Sequence, residues 1–336
     1  MTPADALTPV VRLAPAKLNL TLAVLGRRKD GFHDLHSVMV PLGLADRLSL
    51  APAAGREDTL HVVSGADGRT TLDPAGFGSV LTGIAEARRV VGRGAHTFPL
   101  AARLEKHIPV AAGLAGGSSD AAAAIDGAIE AWSADLMNDD RLRAAAATGS
   151  DVPFFLAAGP ALVEGRGEKL TLLKGVAGDP PAVVLVTPAA PSHTRDAFAL
   201  LDADPRAQPP HRGSTRLSSE HLAAELGPGY APMDANDFVR RAGALAVAND
   251  LALAADILVP GLRPLRRALT RLLGVPIGLS GSGPTLWALY PSIGTAEDAA
   301  TTIREQLRLG LLDSPGDGAP FVMATTIQSP ARRKPG

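Results

Sequence analysis

The sequence predicts a mixed α/β protein of two domains, and three observations carry that expectation. The chain has 336 residues, more than the roughly 100 to 200 of one typical domain. Its opening third alternates apolar and polar residues with the period of two that marks half-buried strands. Its later part reads as helical segments interleaved with short apolar runs. Hydrophobic residues make up 46% and charged residues 20%, enough for a sizeable core and far from a disordered composition. We place the domain boundary near residue 170, giving domains at 1–170 and 171–336.

Along 17–24, Leu18, Leu20, Leu22 and Val24 alternate with Lys17, Asn19, Thr21 and Ala23, so Lys17 and Asn19 share one face of a strand. Further strands are expected at 47–51, 59–63 and 96–104, with turn chemistry at 29–31 and 64–68. A strand-loop-helix unit follows: a strand ending near Lys106, a Gly/Ala loop over 109–117, then Ser118, Ser119 and Asp120 leading into a helix over 121–132. Ser and Asp suit a helix start because their oxygens accept the unpaired backbone N–H groups, and a carboxylate suits the positive dipole end. A second helix is expected between Asn138 and Gly149, and a short third one from Ser150 or Asp151, with Pro153 tolerated in its first turn. Strands return at 161–163 and 182–186. Residues 202–232, rich in Pro, Gly, Ser and His, show no clear period and read as a long loop or insertion. Helices at 235–241, 250–258 and 262–273 precede a Gly-rich turn at 278–284 and a strand at 285–290; a helix at 297–309 and a strand at 321–327 complete the fold. The tail Arg332, Arg333 and Lys334 reads as a solvated end rather than a binding arm.

Composition narrows the function classes. Lys and Arg number 33 against 34 Asp and Glu, so no overall charge attracts nucleic acid or an anionic membrane, and a charged partner must be bound locally. Aromatic residues at 4% argue against a base-stacking platform for single strands. With no cysteine, disulfides, thiolate-held metals and a Cys nucleophile are excluded. The N-terminal segment lacks a signal-peptide pattern, and nowhere do ~18 apolar residues run uninterrupted, so a cytoplasmic protein is expected. Oligomeric state does not follow from the sequence.

The strongest local signal for chemistry is the loop Pro109, Val110, Ala111, Ala112, Gly113, Leu114, Ala115, Gly116, Gly117, Ser118 and Ser119. Its glycines and alanines permit close backbone approach to a ligand, and the helix that follows offers N–H donors and a positive dipole end. It carries neither the Gly-Lys-Ser/Thr ending of a P-loop nor a G-x-G-x-x-G, so phosphate binding and a tight structural turn both remain open. The turn from Gly278 to Pro284 reads alone as a connector. Asp151 stands where a capping Asp belongs. Lys17 either snorkels to solvent or, with Asn19 beside it, faces a polar pocket.

Taken together and in order, Pro15-Ala16-Lys17-Leu18-Asn19-Leu20, the Gly/Ala loop ending in Gly116-Gly117-Ser118-Ser119, and the late Gly281-Ser282-Gly283-Pro284 turn resemble the three motifs of the GHMP kinases. Within that family, the segment from Arg28 through Gly31, Phe32 and His33 is similar to the branch whose acceptor is a cytidine diphosphate derivative of methylerythritol. The resemblance implies an S5-like N-terminal domain and a ferredoxin-like C-terminal domain, with the active site in the cleft between them. It implies ATP and Mg²⁺ as cofactors and phosphorylation of a 2-hydroxyl. Lys17 and Asp151 match the catalytic pair, 109–119 the ATP phosphate loop, and Asn19, Phe32, His33 and Phe198 the substrate contacts. It also implies another small-molecule kinase of the family as the next reading, with an RNA-binding module behind it. Three departures stand out. Ala111, Ala112 and Ala115 replace glycines, which suits negative φ and is strained at positive φ. Phe32 stands where Tyr is frequent. Around 73–77 the Asn-Leu that opens the family's adenine-side helix is missing.

Overall fold

The structure, a computed structural model, describes residues 9–92, 97–157, 159–209 and 213–329. In chain order it runs β1 (Val10–Asn19), β2 (Ala23–Arg27), β3 (His33–Pro52), β4 (Thr59–Ser64), β5 (Thr71–Leu72), α1 (Ser79–Val91), β6 (Leu100–Lys106), α2 (Gly116–Ala131), α3 (Asn138–Thr148) and α4 (Val152–Leu156). It continues through β7 (Ala161–Gly165), β8 (Lys169–Leu172), β9 (Ala182–Thr187), α5 (Thr194–Ala203), α6 (Ser214–Glu225), α7 (Ala235–Val239), α8 (Ala242–Ala246), α9 (Ala252–Leu258) and α10 (Leu262–Leu273). The last elements are β10 (Gly278–Leu279), β11 (Leu286–Tyr290), α11 (Ile293–Arg308) and β12 (Phe321–Thr326). The described residues form two compact units, each assembled from separate stretches. The first draws on Met1–Ala16, Leu44–Ile108 and Ala115–Ala157, the second on Lys17–Gly43, Pro109–Leu114 and Ala158–Gly336.

In the first unit the second half of β3 pairs antiparallel with β6, from Arg47 opposite Glu105 to Pro52 opposite Leu100, and β4 runs parallel to β6. Alternation along β3 buries Leu44, Asp46, Leu48 and Leu50, placing one carboxylate among apolar neighbours. Helices α1 and α2 cover this sheet and pack closely because small residues meet: a Cβ on Gly83 would lie 2.6 Å from the Ala121 carbonyl oxygen, and one on Gly127 2.7 Å from Leu50 Cδ1. Leu48, Leu50, Ile84, Leu104 and Ile125 form the centre of that core.

In the second unit the first half of β3 pairs antiparallel with β2 and β7, and β7 with β8. A separate four-stranded antiparallel sheet has the order β10-β11-β9-β12. Helix α10 turns Leu262, Leu265 and Leu269 inward, α11 turns Ala296, Ala300 and Ile303 inward, and both pack with Val184, Val186 and Leu286 in one apolar cluster. Among the described residues no helix is long and apolar enough to cross a membrane.

Several elements differ from expectation. The strand expected at 17–24 is two: β1 ends at Asn19, and Leu22 N donates to Ala248 O at 2.8 Å before β2 begins. The stretch 202–232 is not one loop, since it contains α6, which buries Thr215, Ser219, Leu222 and Ala223 on a single face; its polar composition hides a helical spacing of i, i+4, i+7 and i+8. The helix expected at 235–241 is the shorter α7, which ends at Val239, and a separate helix, α8, follows at Ala242–Ala246. Helix α1 follows a 3-10 turn, Pro74–Phe77, in which Asp73 accepts a hydrogen bond from Ala75 N. His96 and the Arg332, Arg333, Lys334 tail lie outside the described residues.

Candidate active site

Three motifs widely separated in sequence meet inside the second unit. Lys17, at the end of β1, is 4% exposed, so it does not snorkel to water. Its Nζ donates to Gly113 O at 2.8 Å and to the Asn19 side-chain oxygen. Asn19 Nδ2 donates to Ser37 Oγ at 2.9 Å. From the late Gly-rich turn, Ser280 Oγ donates to the same Gly113 carbonyl at 3.0 Å, and Asn249 Nδ2 donates to Leu279 O and Gly281 O at 3.0 and 2.9 Å. The turn is therefore more than a connector. It braces the Gly/Ala loop, so closely that a Cβ on Gly113 would sit 2.3 Å from Ser280 O.

The loop backbone answers the question its alanines raised. Ala111, Gly113 and Ala115 all have left-handed φ, of 53°, 75° and 54°, and Ala112 does not. Two of the three alanines thus occupy conformations that cost an L-residue ~1–2 kcal/mol each. In general, left-handed residues alternating with others along a chain turn successive N–H groups toward one side, a backbone pattern that can receive anions. Helix α2 starts at once, at Gly116, and no side chain caps it. This corrects the reading of Ser118, Ser119 and Asp120 as capping groups: they lie inside the helix rather than ahead of it. Ser119 Oγ is buried and without a hydrogen-bond partner among the described residues. The first-turn N–H groups are left to a ligand or solvent.

Beneath that helix start, in the first unit, lies a charged cluster that sequence reasoning missed. Lys106 Nζ, on a side chain 6% exposed, bonds Asp120 Oδ2 at 2.7 Å and also Asp46. Asp46 Oδ1 accepts from His107 N and Ile108 N at 2.5 and 2.8 Å. One ammonium cannot neutralise two carboxylates. Burial, with the Asp46 charge adding to it against the pull of Lys106, pushes the Asp120 carboxyl up to about 7. Asp46 on the buried phase of β3 was the available signal.

Asp151 belongs to the first unit, immediately before α4 and half-buried. It does not cap: its dihedrals are helical (φ −86°, ψ −9°) and its side chain makes no capping bond, because a capping side chain needs an extended backbone to reach over the first N–H groups.

The residues expected to contact substrate divide. His33 is buried, stacks on Phe198 with centroids 4.6 Å apart, and hydrogen-bonds Asp202 through Nε2. It lines a cavity of about 580 Å³ in the second unit whose wall also carries Arg27, Asp202, Arg216 and Asp250. Phe198 is half-buried against Leu22, Leu201 and Leu251. Phe32 is 48% exposed, with the Arg166 guanidinium 5.2 Å from its ring centroid. Asp202, which pairs with His33, was marked by no sequence motif.

Comparison with known proteins completes the description. Residues 80–159 match the family described as GHMP kinases N terminal domain, and residues 233–309 match GHMP kinases C terminal. The chain is 35% identical over 333 residues to a 4-diphosphocytidyl-2-C-methyl-D-erythritol kinase of Anaeromyxobacter dehalogenans, covering 97% of this chain and 93% of the relative. It is 34% identical over 283 residues to a protein of the same name from Exiguobacterium sibiricum, covering 83% and 88%. A solved structure of a 4-(cytidine 5'-diphospho)-2C-methyl-D-erythritol kinase is similar with a TM-score of 0.65 at 28% identity, covering 94% of this chain and 99% of that one.

Proposed function

The chain belongs to the GHMP kinases, and from that membership we propose that it transfers the γ-phosphoryl group of ATP to the 2-hydroxyl of 4-diphosphocytidyl-2-C-methyl-D-erythritol, a step of non-mevalonate isoprenoid biosynthesis. The identity of 35% over 97% of the chain supports that acceptor over those of other family members and over an RNA-binding role. The observation that carries the phosphate half of the reading is the run of left-handed residues at 111, 113 and 115 opening directly onto an uncapped helix. A division into N-terminal and C-terminal family domains near residue 170 is part of the proposal, supported by family matches that fall on either side of it.

Phosphoryl transfer asks the protein mainly to position groups and stabilise charge. In our reading the loop 109–119 receives the nucleotide phosphates, Asp151 accepts the proton of the attacking hydroxyl, and Lys17 offsets developing negative charge. Gly113 O and Asn19 hold the Lys17 ammonium in place. Asn19, Phe32, His33 and Phe198 serve the acceptor. The buried Ser119 hydroxyl, without a hydrogen-bond partner among the described residues, is the protein oxygen that would help hold Mg²⁺, and the ion, when bound, would supply neutralisation of phosphate charge. The test is a screen of the purified protein with ATP and the cytidine substrate, mevalonate and homoserine. Turnover of the first alone supports the assignment; turnover of another acceptor in its place overturns it.

A further inference from the structure

The ring of His33 is held on two sides by one helix. Phe198 and Asp202 lie four residues apart on α5, so they present a common face. Phe198 stacks on the ring at 21°, and Asp202 Oδ1 lies 2.8 Å from Nε2. A carboxylate only accepts hydrogen bonds. The proton of the neutral imidazole therefore sits on Nε2, which donates to Asp202, and Nδ1 keeps a lone pair. Arg27 Nε, 3.6 Å from Asp202 Oδ2, braces the carboxylate from the other side. Among the described residues Nδ1 has no hydrogen-bond partner, and His33 lines the 580 Å³ cavity.

The other charged groups in that wall are committed elsewhere. Asp250 accepts from Val24 N at 2.9 Å and from Thr215 Oγ1 at 2.6 Å, and Arg216 pairs with Glu220.

We propose that Asp202 is a positioning residue for base selection: by holding His33 as the Nε2–H tautomer it presents Nδ1 as an acceptor, which takes a pyrimidine edge bearing an amino group and rejects one bearing a carbonyl. An exocyclic amino group donates to Nδ1. A carbonyl in its place sets two acceptors against each other and leaves both unsatisfied. The inference rests on the reading of His33 as a substrate contact.

The experiment compares wild type, Asp202→Ala, Asp202→Asn and His33→Ala, measuring kcat/KM for the cytidine substrate and a uridine analogue, with ¹⁵N NMR of histidine-labelled protein reporting the His33 tautomer. Asp202→Ala is expected to lower kcat/KM for the cytidine substrate about tenfold, one hydrogen bond's worth. The loss falls mostly in KM, narrows the preference over uridine, leaves the KM for ATP unchanged, and is accompanied by loss of the fixed Nε2–H signal. Asp202→Asn, which can still accept through Oδ1, recovers part of the preference. An Asp202→Ala enzyme that keeps both preference and tautomer, or that shows only a lower Tm, overturns the proposal while leaving His33 in place. A His33→Ala enzyme with intact cytidine preference instead removes the reading on which it rests.

Discussion

Replacing Asp120 by Asn should flatten part of the protein's pH-stability profile. Asp120 is fully buried, shares Lys106 with Asp46, and is raised from 3.8 to about 7 chiefly by burial. An acid whose folded pKa lies above its unfolded one binds more protons in the folded state between the two values, so stability falls as pH rises through that window. At ~1.4 kcal/mol per unit, ~4 kcal/mol is lost across the window, ~3 kcal/mol of it between pH 5 and 8. Asn keeps an oxygen for Lys106 and cannot ionise. In thermal melts the variant should therefore be the more stable, and its Tm advantage should widen by ~6 °C from pH 5 to pH 8, at about 2 °C per kcal/mol for a chain of this size. His36, whose imidazole is pushed below its ordinary value by burial, contributes a slope of opposite sign, stability lost as pH falls, but it is common to both proteins and cancels in the difference. A Tm difference that stays constant from pH 5 to 8 refutes the reasoning.

Asp151→Asn should leave the fold and ATP binding intact while kcat drops about 10²-fold or more, the usual scale of general base catalysis; an unchanged kcat removes the base assignment. Gly117 and Gly113 should separate by readout. A Cβ on Gly117 meets only Ser79 Oγ at 3.6 Å, and its φ is not left-handed, so Gly117→Val should weaken ATP binding by calorimetry more than acceptor binding, with little change in Tm. Gly113→Ala combines φ +75° with a 2.3 Å clash on Ser280 O and should lower Tm by several degrees; the reverse pattern would contradict the loop geometry. Ala115→Gly should raise stability by ~0.5 kcal/mol, since relief of ~1–2 kcal/mol of left-handed strain exceeds the ~0.4–1 kcal/mol of added unfolded-chain entropy; a lower denaturation midpoint would show that Ala115 is not strained.

Local chemistry determined much of this protein in advance. The mixed α/β class, the strand carrying Lys17 and Asn19, the Gly/Ala loop and the bounds of α10 follow from periodicity and turn residues, because those signals act within a few residues of one another. The ordered motifs identified the family. Tertiary structure decided what depends on neighbours distant in sequence. That Lys17 is buried on Gly113 O and Asn19 rather than snorkelling, and that the late Gly-rich turn braces the loop, could not be read from either segment alone. The hand of Ala111 and Ala115 was undetermined because alanine propensity favours neither the strain nor the ligand that would justify it. Helix α6 was hidden by its polar composition, since half of its buried face is Thr and Ser satisfied by tertiary hydrogen bonds to Asp250, Thr21 and His36. The same holds for Asp202 and for the Asp46, Lys106 and Asp120 cluster: a carboxylate looks alike in sequence whether it faces water, an imidazole or a buried cation, and only the neighbours and burial set by the whole fold place Asp202 against His33 and make Asp120 a group that titrates near neutrality.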